Sequence, residues 1–570
     1  MERWVVSAKR ADFQGIAQRF SIDPVIARLI RNREIQGDDK IQEYLHGSKK
    51  DLPHPGCMKG MKEALAILIQ KIHEKKPIRI IGDYDIDGVC STYILLTGLK
   101  RTGACVDTYI PDRVADGYGI HDHLIRKALE DKIDTILTCD NGIAAFHEIA
   151  FAKEQGMTVV VTDHHEIPFE DRGGERSYQL PPADAIVNPH QADCPYPNKN
   201  VCGAVVAYHL IQLLYEHFHI SERELEMLLE FAAIATVGDV MDLQGENRIL
   251  VKEGLSRLPH TKNLGLQELI RANHLENGKI SSYHIGFVIG PCINASGRLD
   301  TAARSLALFC AKDREEAARL AGDLVSMNTS RKALTEEGRK KAEELVENTS
   351  IANDRVLVIY LPECHESLAG IIAGRIREKY YKPVFVLTRG EQGVKGSGRS
   401  IEGYSMYEEL VKCKDLMTQF GGHPMAAGLS MEEGKVELFR KRLNENCTLT
   451  EKELSPKVVI DVAMPFPYIS RKLIQELSLL EPFGKGNEKP VFAQKEIQVL
   501  NPRAFGKNRN VVKMQLMDSH GFTIEGIYFG DAEAFLKNVS GRETVSITYY
   551  PTINSYMGRD SIQLVVQNYC

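Results

Sequence analysis

Three aspartates at alternate positions, Asp83, Asp85 and Asp87, follow directly on the apolar run Ile78 to Ile81 and precede Gly88 in the segment IRIIGDYDIDGVCST. An apolar run of this length reads as a buried parallel strand, which places the carboxylates at its carboxyl end, ahead of a helix that begins near Val89. Open α/β sheets bind ligands at that edge. Three carboxylates within five residues repel one another in a partly buried site, and a hard divalent cation is the usual means of neutralising them. Taken alone, the segment has an alternative reading as a solvated acidic turn in which Asp87 caps the next helix.

The pattern recurs downstream. Thr135 to Thr138 is a short β-branched run ending in Cys139-Asp140-Asn141-Gly142, and Met157 to Thr162 is a nearly pure strand sequence ending in Asp163-His164-His165. A helical stretch from Leu225 to Val237 then runs into Gly238-Asp239-Val240. Four successive elements each deliver a carboxylate at their end, and one adds a histidine pair. An oxygen-rich set supplemented by imidazole suits manganese or magnesium better than zinc.

The elements that must hold these groups form an α/β domain over residues 58–299, in which strand and helix alternate as in a doubly wound parallel sheet. A helical lead-in precedes it over residues 1–57, with Asp23-Pro24 as a helix-start signal. The insert from Glu166 to Pro182, rich in glycine, proline and charge, predicts an exposed loop. Residues 300–350 are dense in helix formers without proline and predict one long connecting helix. A second, smaller α/β domain follows over residues 351–450, with strands at VLVIY from Val356 and at Val384 to Leu387 and a helix between them. It carries two glycine-rich segments, KGSGRS (Lys395 to Ser400) and FGGHPMAAG (Phe420 to Gly428). Over residues 456–570 the pattern changes to short alternating strands, which predicts a C-terminal OB-fold β-barrel.

Two of these segments have the composition of a polyanion contact. In GSGRS, glycines let the backbone approach a phosphate, Ser397 and Ser400 can donate, and Arg399 can grip two oxygens at once; His423 in FGGHP is a further candidate. The barrel carries Arg503, Lys507, Arg509 and Lys513, with Phe505, Tyr549 and Tyr550 as aromatics on which bases can stack.

A net charge of −6 over 570 residues excludes nucleic-acid binding by bulk charge, but a local basic groove steers a polyanion whatever the total. The 12 cysteines lack a CxxC pair, so reduced thiols are expected. No 18-residue apolar run exists and Met1 to Phe20 is charged throughout. The expectation is a cytoplasmic protein without a membrane span or signal peptide.

The order of motifs resembles the DHH phosphoesterase superfamily, and within it the branch of single-strand-specific exonucleases. GDYDIDG (Gly82 to Gly88), TCDNGI (Thr138 to Ile143), TDHHE (Thr162 to Glu166) and AAIATVGDVMDL (Ala232 to Leu243) fit any member. NASGR (Asn294 to Arg298), CHESLAGIIAGRI (Cys364 to Ile376), GSGRS, GGHPMAAG (Gly421 to Gly428) and EPFGKGN (Glu481 to Asn487) point to the exonuclease branch. Cys292 stands where the family more often has arginine, and Ile81 where many superfamily members have histidine.

The resemblance implies a DHH domain over residues 58–299 and a DHHA1 domain over residues 351–450. It further implies a metal-dependent exonuclease that degrades single-stranded DNA from its 5′ end in recombination and repair. Two divalent ions, Mn2+ or Mg2+, would be held by Asp85, Asp87, Asp140, His164 and Asp239, with Asp140 as bridge, Asp83 and Asp163 as further metal-site residues, and His165 either as a ligand or as support for Asp163 and the metals. His165, Arg298 and His365 would act at the scissile phosphate, and Ser397, Arg399, Ser400 and His423 would bind phosphate. Single-stranded DNA is the implied partner, with a single-strand-binding protein and a helicase alongside it. The competing readings are a phosphodiesterase of short oligoribonucleotides or cyclic dinucleotides, which needs no remote barrel, and a catalytically silent subunit of a replication complex. Neither function explains costly clustered carboxylates together with the barrel.

Overall fold

The computed structural model describes residues 2–113, 116–117, 119–172, 175–390, 393–506, 509–556 and 558–570. It divides into two compact units, one of residues 53–241 and 253–456, the other of residues 2–52, 242–252 and 457–570. No helix among the described residues is long and apolar enough to cross a membrane.

The first unit opens on a parallel sheet of β1 (Pro77–Ile81), β2 (Cys105–Tyr109), β3 (Thr135–Cys139), β4 (Thr158–Thr162) and β5 (Ala185–Val187). The strand order is β2-β1-β3-β4-β5 with every neighbouring pair parallel. The central strands β1, β3 and β4 are buried almost throughout, which is why they read as continuous apolar runs rather than alternating ones. From β1 the chain moves to one side to form β2, then crosses to the other side for β3. The crevice between the carboxyl ends of β1 and β3 is therefore the topological switch point of the sheet, where ligands bind in folds of this kind.

Helices α1 (Ile86–Arg101), α2 (Phe146–Glu154), α3 (Gly203–His217) and α4 (Leu229–Gly238) complete the sheet layer, with α1 packed on both α3 and α4. A later helical run comprises Ser282–His284, a π-helical turn Ile285–Ile289 and α5 (Gly290–Leu299). The long connecting helix is broken once: Ala303–Cys310 is a separate helix, and α6 (Arg314–Asn348) starts after it. Asp313 causes the break, since its side chain accepts from Glu316 N as an N-cap.

The second α/β domain of this unit consists of β6 (Leu357–Tyr360), α7 (Glu366–Tyr380), β7 (Val384–Gly390), β8 (Gly393–Arg399), β9 (Met417–His423) and β10 (Ala426–Met431). The sheet order is β9-β10-β8-β7-β6, with only β6–β7 parallel. Of the two glycine-rich segments, Lys395 to Arg399 lies in β8 and FGGHPMAAG spans the turn between β9 and β10. In β8 the period-2 alternation puts the glycines on one face and Ser397 and Arg399 on the other. A methyl group at Gly396 would lie 2.3 Å from Leu387 Cδ2 and one at Gly398 2.6 Å from Phe385 Cε1, so these glycines make room for the core side chains of β7.

The second unit holds β11 (Val462–Ala463), β12 (Phe492–Phe505), β13 (Val511–Met517), β14 (Thr523–Phe529), α8 (Ala532–Val539), β15 (Val545–Tyr556) and β16 (Arg559–Tyr569). The order is β11-β12-β13-β14-β16-β15, and β15 also pairs with β12, which closes the barrel. The helices Phe13–Phe20, Pro24–Asn32 and Asp38–His46 belong to the same unit and not to a separate lead-in. Ile26, Leu29 and Ile30 join Phe466, Phe492 and Tyr549 in one core, because a short amphipathic helix must bury its apolar stripe against something. Strand Arg3–Val6 pairs in parallel with Lys457–Ile460. The buried Arg248 guanidinium donates to the carbonyls of Tyr44, Leu479 and Leu480 at 2.9, 2.8 and 3.0 Å.

Candidate metal centre and phosphate cleft

The switch point collects the charged groups. Asp83 follows β1 and is buried, with Oδ1 lacking a hydrogen-bond partner. Asp85 caps α1, accepting from Asp87 N at 2.8 Å and Gly88 N at 3.1 Å. Asp87 lies in the first turn of α1 and accepts two donors at the N-terminus of α3, Gly203 N at 2.6 Å and Ala204 N at 2.8 Å. Asp140 follows β3 with φ of +59°, a left-handed conformation that aspartate tolerates better than most residues. Asp239 is the C-cap of α4.

His164 ties these together, its Nε2 lying 3.0 Å from Asp140 Oδ1, 3.4 Å from Asp87 Oδ2 and 3.7 Å from Asp239 Oδ2. Asp163 is held by backbone donors and His165. It accepts from Ile143 N, His164 N and His165 N at 2.9, 2.7 and 3.1 Å and pairs with His165 Nδ1 at 2.8 Å. Three overlapping groups have their ligand atoms within 4.8 Å of one another: Asp140-His164-His165, Asp87-His164-Asp239 and Asp83-Asp85-Asp140. Asp140 and His164 each belong to two of them, and Asp163 to none. The last instead holds His165 and the neighbouring backbone through its hydrogen bonds.

Burial, and after it the neighbouring Asp85, pushes the Asp83 carboxyl well above its ordinary range. Burial followed by Asp87, Asp85 and Asp83 does the same to Asp140, and burial raises Asp87. Burial opposes protonation of His165, but Asp163 outweighs it and lifts the imidazole to about 9. Burial pushes the Cys139 thiol up to about 12, which leaves it unreactive. Clustered carboxylates that resist ionisation, one with a buried oxygen lacking a partner, fit a hard divalent cation, and the predominance of oxygen donors suits Mg2+ or Mn2+.

Within the same unit a cavity of about 890 Å³ is lined by Tyr84, Arg113, Arg298, Ser367, Ser397 and Arg399, among others. Arg113 lies over the Tyr84 ring, 4.6 Å from its centroid. Arg298 Nη1 donates to Ser367 O at 2.6 Å, and Ser367 Oγ donates to Arg298 O at 3.1 Å, which fixes α5 against α7. Arg399 Nη1 donates to Ser397 Oγ at 3.1 Å and to Gly398 O at 2.7 Å. Burial, then Arg113 and Arg331, pulls Arg298 down to about 10. Burial, then Arg377 and Arg113, lowers Arg399. Crowded guanidiniums that depress one another make an anion pocket.

The cavity does not gather every group expected of it. Ser400 is fully buried and donates to Tyr404 O at 2.6 Å, outside the lining. His423 is exposed at the end of β9, also outside it. His365 is the N-cap of α7, its Nδ1 accepting from Ser367 N at 3.3 Å, and it positions the helix whose next turn borders the cavity. Tyr84, Arg113, Gly203 and Gly370 went unread in the sequence. A methyl group at Gly370 would lie 2.7 Å from Arg399 Nη2 and 2.8 Å from Ser397 Oγ, so glycine is what lets α7 approach them. The one sequence signal for Arg113 was its place just beyond the carboxyl end of a strand.

In the second unit, Arg503 and Lys513 are exposed cross-strand partners, and Lys513 Nζ lies 5.8 Å from the centroid of the exposed Phe505. Arg509 is exposed and pairs with Glu533 at 3.2 Å. Lys507 lies outside the described residues. Tyr549 and Tyr550 are buried in the barrel core, where Tyr549 Oη donates to Met464 O. Neither is available for stacking.

A parallel-sheet domain with an aspartate-histidine centre at its switch point, joined to a smaller domain that carries an arginine cleft, defines a DHH/DHHA1 phosphoesterase, an enzyme class that acts on phosphate esters. The family descriptions that match are the DHH family N-terminal domain over residues 77–238, the DHHA1 domain over residues 353–448 and the RecJ OB domain over residues 460–568. The chain belongs to the RecJ family. It is 34% identical over 571 residues to the single-stranded-DNA-specific exonuclease RecJ of Bacillus subtilis (strain 168), spanning 99% of this chain and 70% of that one. It is 31% identical to the RecJ of Haemophilus influenzae, spanning 97% of each. The crystal structure of RecJ from Thermus thermophilus in complex with Mn2+ superposes with a TM-score of 0.84 at 29% identity, covering 100% of this chain and 79% of that one.

Proposed function

We propose that this enzyme is a metal-dependent exonuclease that hydrolyses single-stranded DNA from the 5′ end, in DNA repair and recombination. The observation that carries the reading is the meeting of three ligand groups through Asp140 and His164 at the switch point, in the same unit as an arginine-lined cavity. Asp87, His164 and Asp239 would hold one divalent ion and Asp83 and Asp85 a second, with Asp140 between them. Bound there, Mn2+ or Mg2+ lowers the pKa of the attacking water and stabilises charge on the phosphoryl and leaving oxygens. His165, oriented by its pairing with Asp163 at 2.8 Å, stands 3.9 Å from Asp140 and completes the set around the centre. Arg298 and Arg399, with Ser397, grip the terminal phosphate and so set which diester lies over the centre. Arg503 and Lys513 neutralise the distal strand. A degrader of unpaired strands also needs a source of them, for which a helicase and a single-strand-binding protein are the fitting partners.

Digestion of 5′- and 3′-labelled single strands and matched duplexes in Mn2+, Mg2+ and EDTA tests this, with Asp140→Ala as control. Release of the 5′ label as the first product, only with metal and only from single strands, is expected, with Asp140→Ala down by more than about tenfold. Cleavage in EDTA, or first release from the 3′ end, overturns it.

A further inference from the structure

The helical run from Ser282 to Leu299 borders the whole site. Near its end Arg298 lines the arginine cavity, and one turn earlier Asn294 Oδ1 accepts from Ile86 N at 2.8 Å, which clamps the turn between Asp85 and Asp87. At its start, where the backbone widens into the π-helical turn Ile285–Ile289, the side chains of Tyr283 and Phe287 stand out from the surface. They are 61% and 63% exposed, and their rings stack with centroids 5.0 Å apart at an interplanar angle of 27°. Between them Gly286 faces α4: a methyl group there would meet Val237 Cγ1 at 3.9 Å, two residues before Asp239. One rod therefore carries an exposed aromatic pair, a clamp on the metal-ligand turn, and a phosphate-cavity arginine, in that order. At 1.5 Å per residue, Phe287 lies about 16 Å along it from Arg298.

Two large aromatic rings in contact at the water interface bury little of their own surface, and π-helical turns concentrate at functional sites. We propose that Tyr283 and Phe287 form a stacking platform for an unpaired nucleobase of the strand under degradation, on the side of the metal centre away from the arginine cavity. With the 5′ phosphate held at Arg298 and Arg399, the base on the platform belongs to a nucleotide 3′ of the scissile bond. Every base offers a π-face, so the platform reads no sequence. In a duplex both faces of an internal base are covered by its neighbours, so the platform also favours single strands. The inference rests on the exonuclease reading above.

The test is steady-state hydrolysis of 5′-phosphorylated oligothymidylates by the Mn2+ enzyme, using the intact strand and a series with one abasic site at successive positions from the 5′ end. Tyr283→Ala/Phe287→Ala is compared with Tyr283→Phe/Phe287→Tyr, and thermal melting checks that both fold as the parent does. The alanine pair is expected to raise KM about tenfold, the scale of one lost base stack, with kcat nearly unchanged. The aromatic-conserving pair should match the parent. In the parent one abasic position should raise KM by a similar factor, and that position should be silent in the alanine pair. Equal KM values and an unchanged abasic profile overturn the platform while leaving the exonuclease reading intact. So does a change in sedimentation without a change in KM, which would make the pair a contact between copies. No hydrolysis of any strand by the parent overturns both.

Discussion

Replacing Gly203 by alanine isolates the geometry of the metal centre from the stability of the fold. Gly203 opens α3, its N–H donates to Asp87 at 2.6 Å, and a methyl group on it would lie 2.8 Å from Asp140 Cβ, 3.0 Å from Asp140 Cα and 3.1 Å from Asp87 Oδ2. Carbon contacts relax near 3.5–4.0 Å, so α3 and Asp140 must part by about 1 Å. Two of the obstructing atoms are Cα and Cβ, which no rotamer change can move aside. Alanine recovers up to about 1 kcal/mol of helix propensity against about 1–3 kcal/mol of overpacking, so the net loss of stability is about 0–2 kcal/mol. Activity should respond far more, because a displacement of about 1 Å in a catalytic constellation costs about 100-fold. The assay pairs melting in EDTA with hydrolysis of a labelled single strand over a Mn2+ titration. Gly374→Ala in α7, where a methyl group meets nothing within 4 Å, is the control and should be active and slightly more stable. If Gly203→Ala keeps kcat and Mn2+ half-saturation within about threefold of the parent, the centre tolerates the shift and the reasoning fails.

The metal-free enzyme should lose stability as pH rises. Asp83, Asp87 and Asp140 have carboxyl groups raised above the ordinary 3.8 by burial, so the folded state binds protons that the unfolded chain releases. His165, lifted from 6.5 to about 9 by Asp163 against its burial, acts in the same direction, its contribution full below 6.5 and lost through about 9, whereas His164, lowered from 6.5 by its burial, acts in the opposite direction but only below 6.5. A melting temperature in EDTA that is flat or climbs from about pH 7 to about pH 8.5 would contradict this, and Mn2+ should restore stability at the upper end. Arg399→Ala should erase most of any preference for 5′-phosphate over 5′-hydroxyl ends, read as the ratio of kcat/KM on the two strands, with Arg399→Lys recovering only part of it; an unchanged ratio moves the terminal phosphate elsewhere. Arg503→Glu/Lys513→Glu should weaken binding of long single strands and flatten its salt dependence while sparing short substrates, and equal losses on both would leave the barrel face without a role. Truncation at residue 456 is a poorer test, because it also uncovers Ile26, Leu29 and Ile30 and should yield aggregating protein.

The metal centre was legible because its aspartates sit where buried parallel strands stop or, for Asp239, where a buried helix stops, and the contrast between an apolar run and abrupt charge survives in one dimension. Which of them gather into ligand groups was not. Asp163 has the same local sequence context as Asp140, and only the fold shows its oxygens committed to three backbone donors and His165. GSGRS was read for its composition as a phosphate contact, and its alternation is that of a strand whose glycines accommodate Leu387 and Phe385. Tyr549 and Tyr550 show that an aromatic in a barrel strand cannot be assigned to core or groove by type. Arg113 belongs to no motif, and the union of residues 2–52 with the barrel is a contact between the two ends of the chain that no local pattern encodes.

The second unit is assembled from three separate stretches, residues 2–52, 242–252 and 457–570, and this orders events during its synthesis. Residues 2–52 emerge first, but the strands that complete their core come after residue 456. At about 5–20 residues per second, some 20–80 s of translation separate the two. The ribosome-bound nascent chain therefore displays the amphipathic helix Pro24–Asn32 without its partners while the residues of the metal centre are being made. A ribosome that stalls before the barrel releases a chain with an open hydrophobic end, a ready substrate for chaperones and proteases.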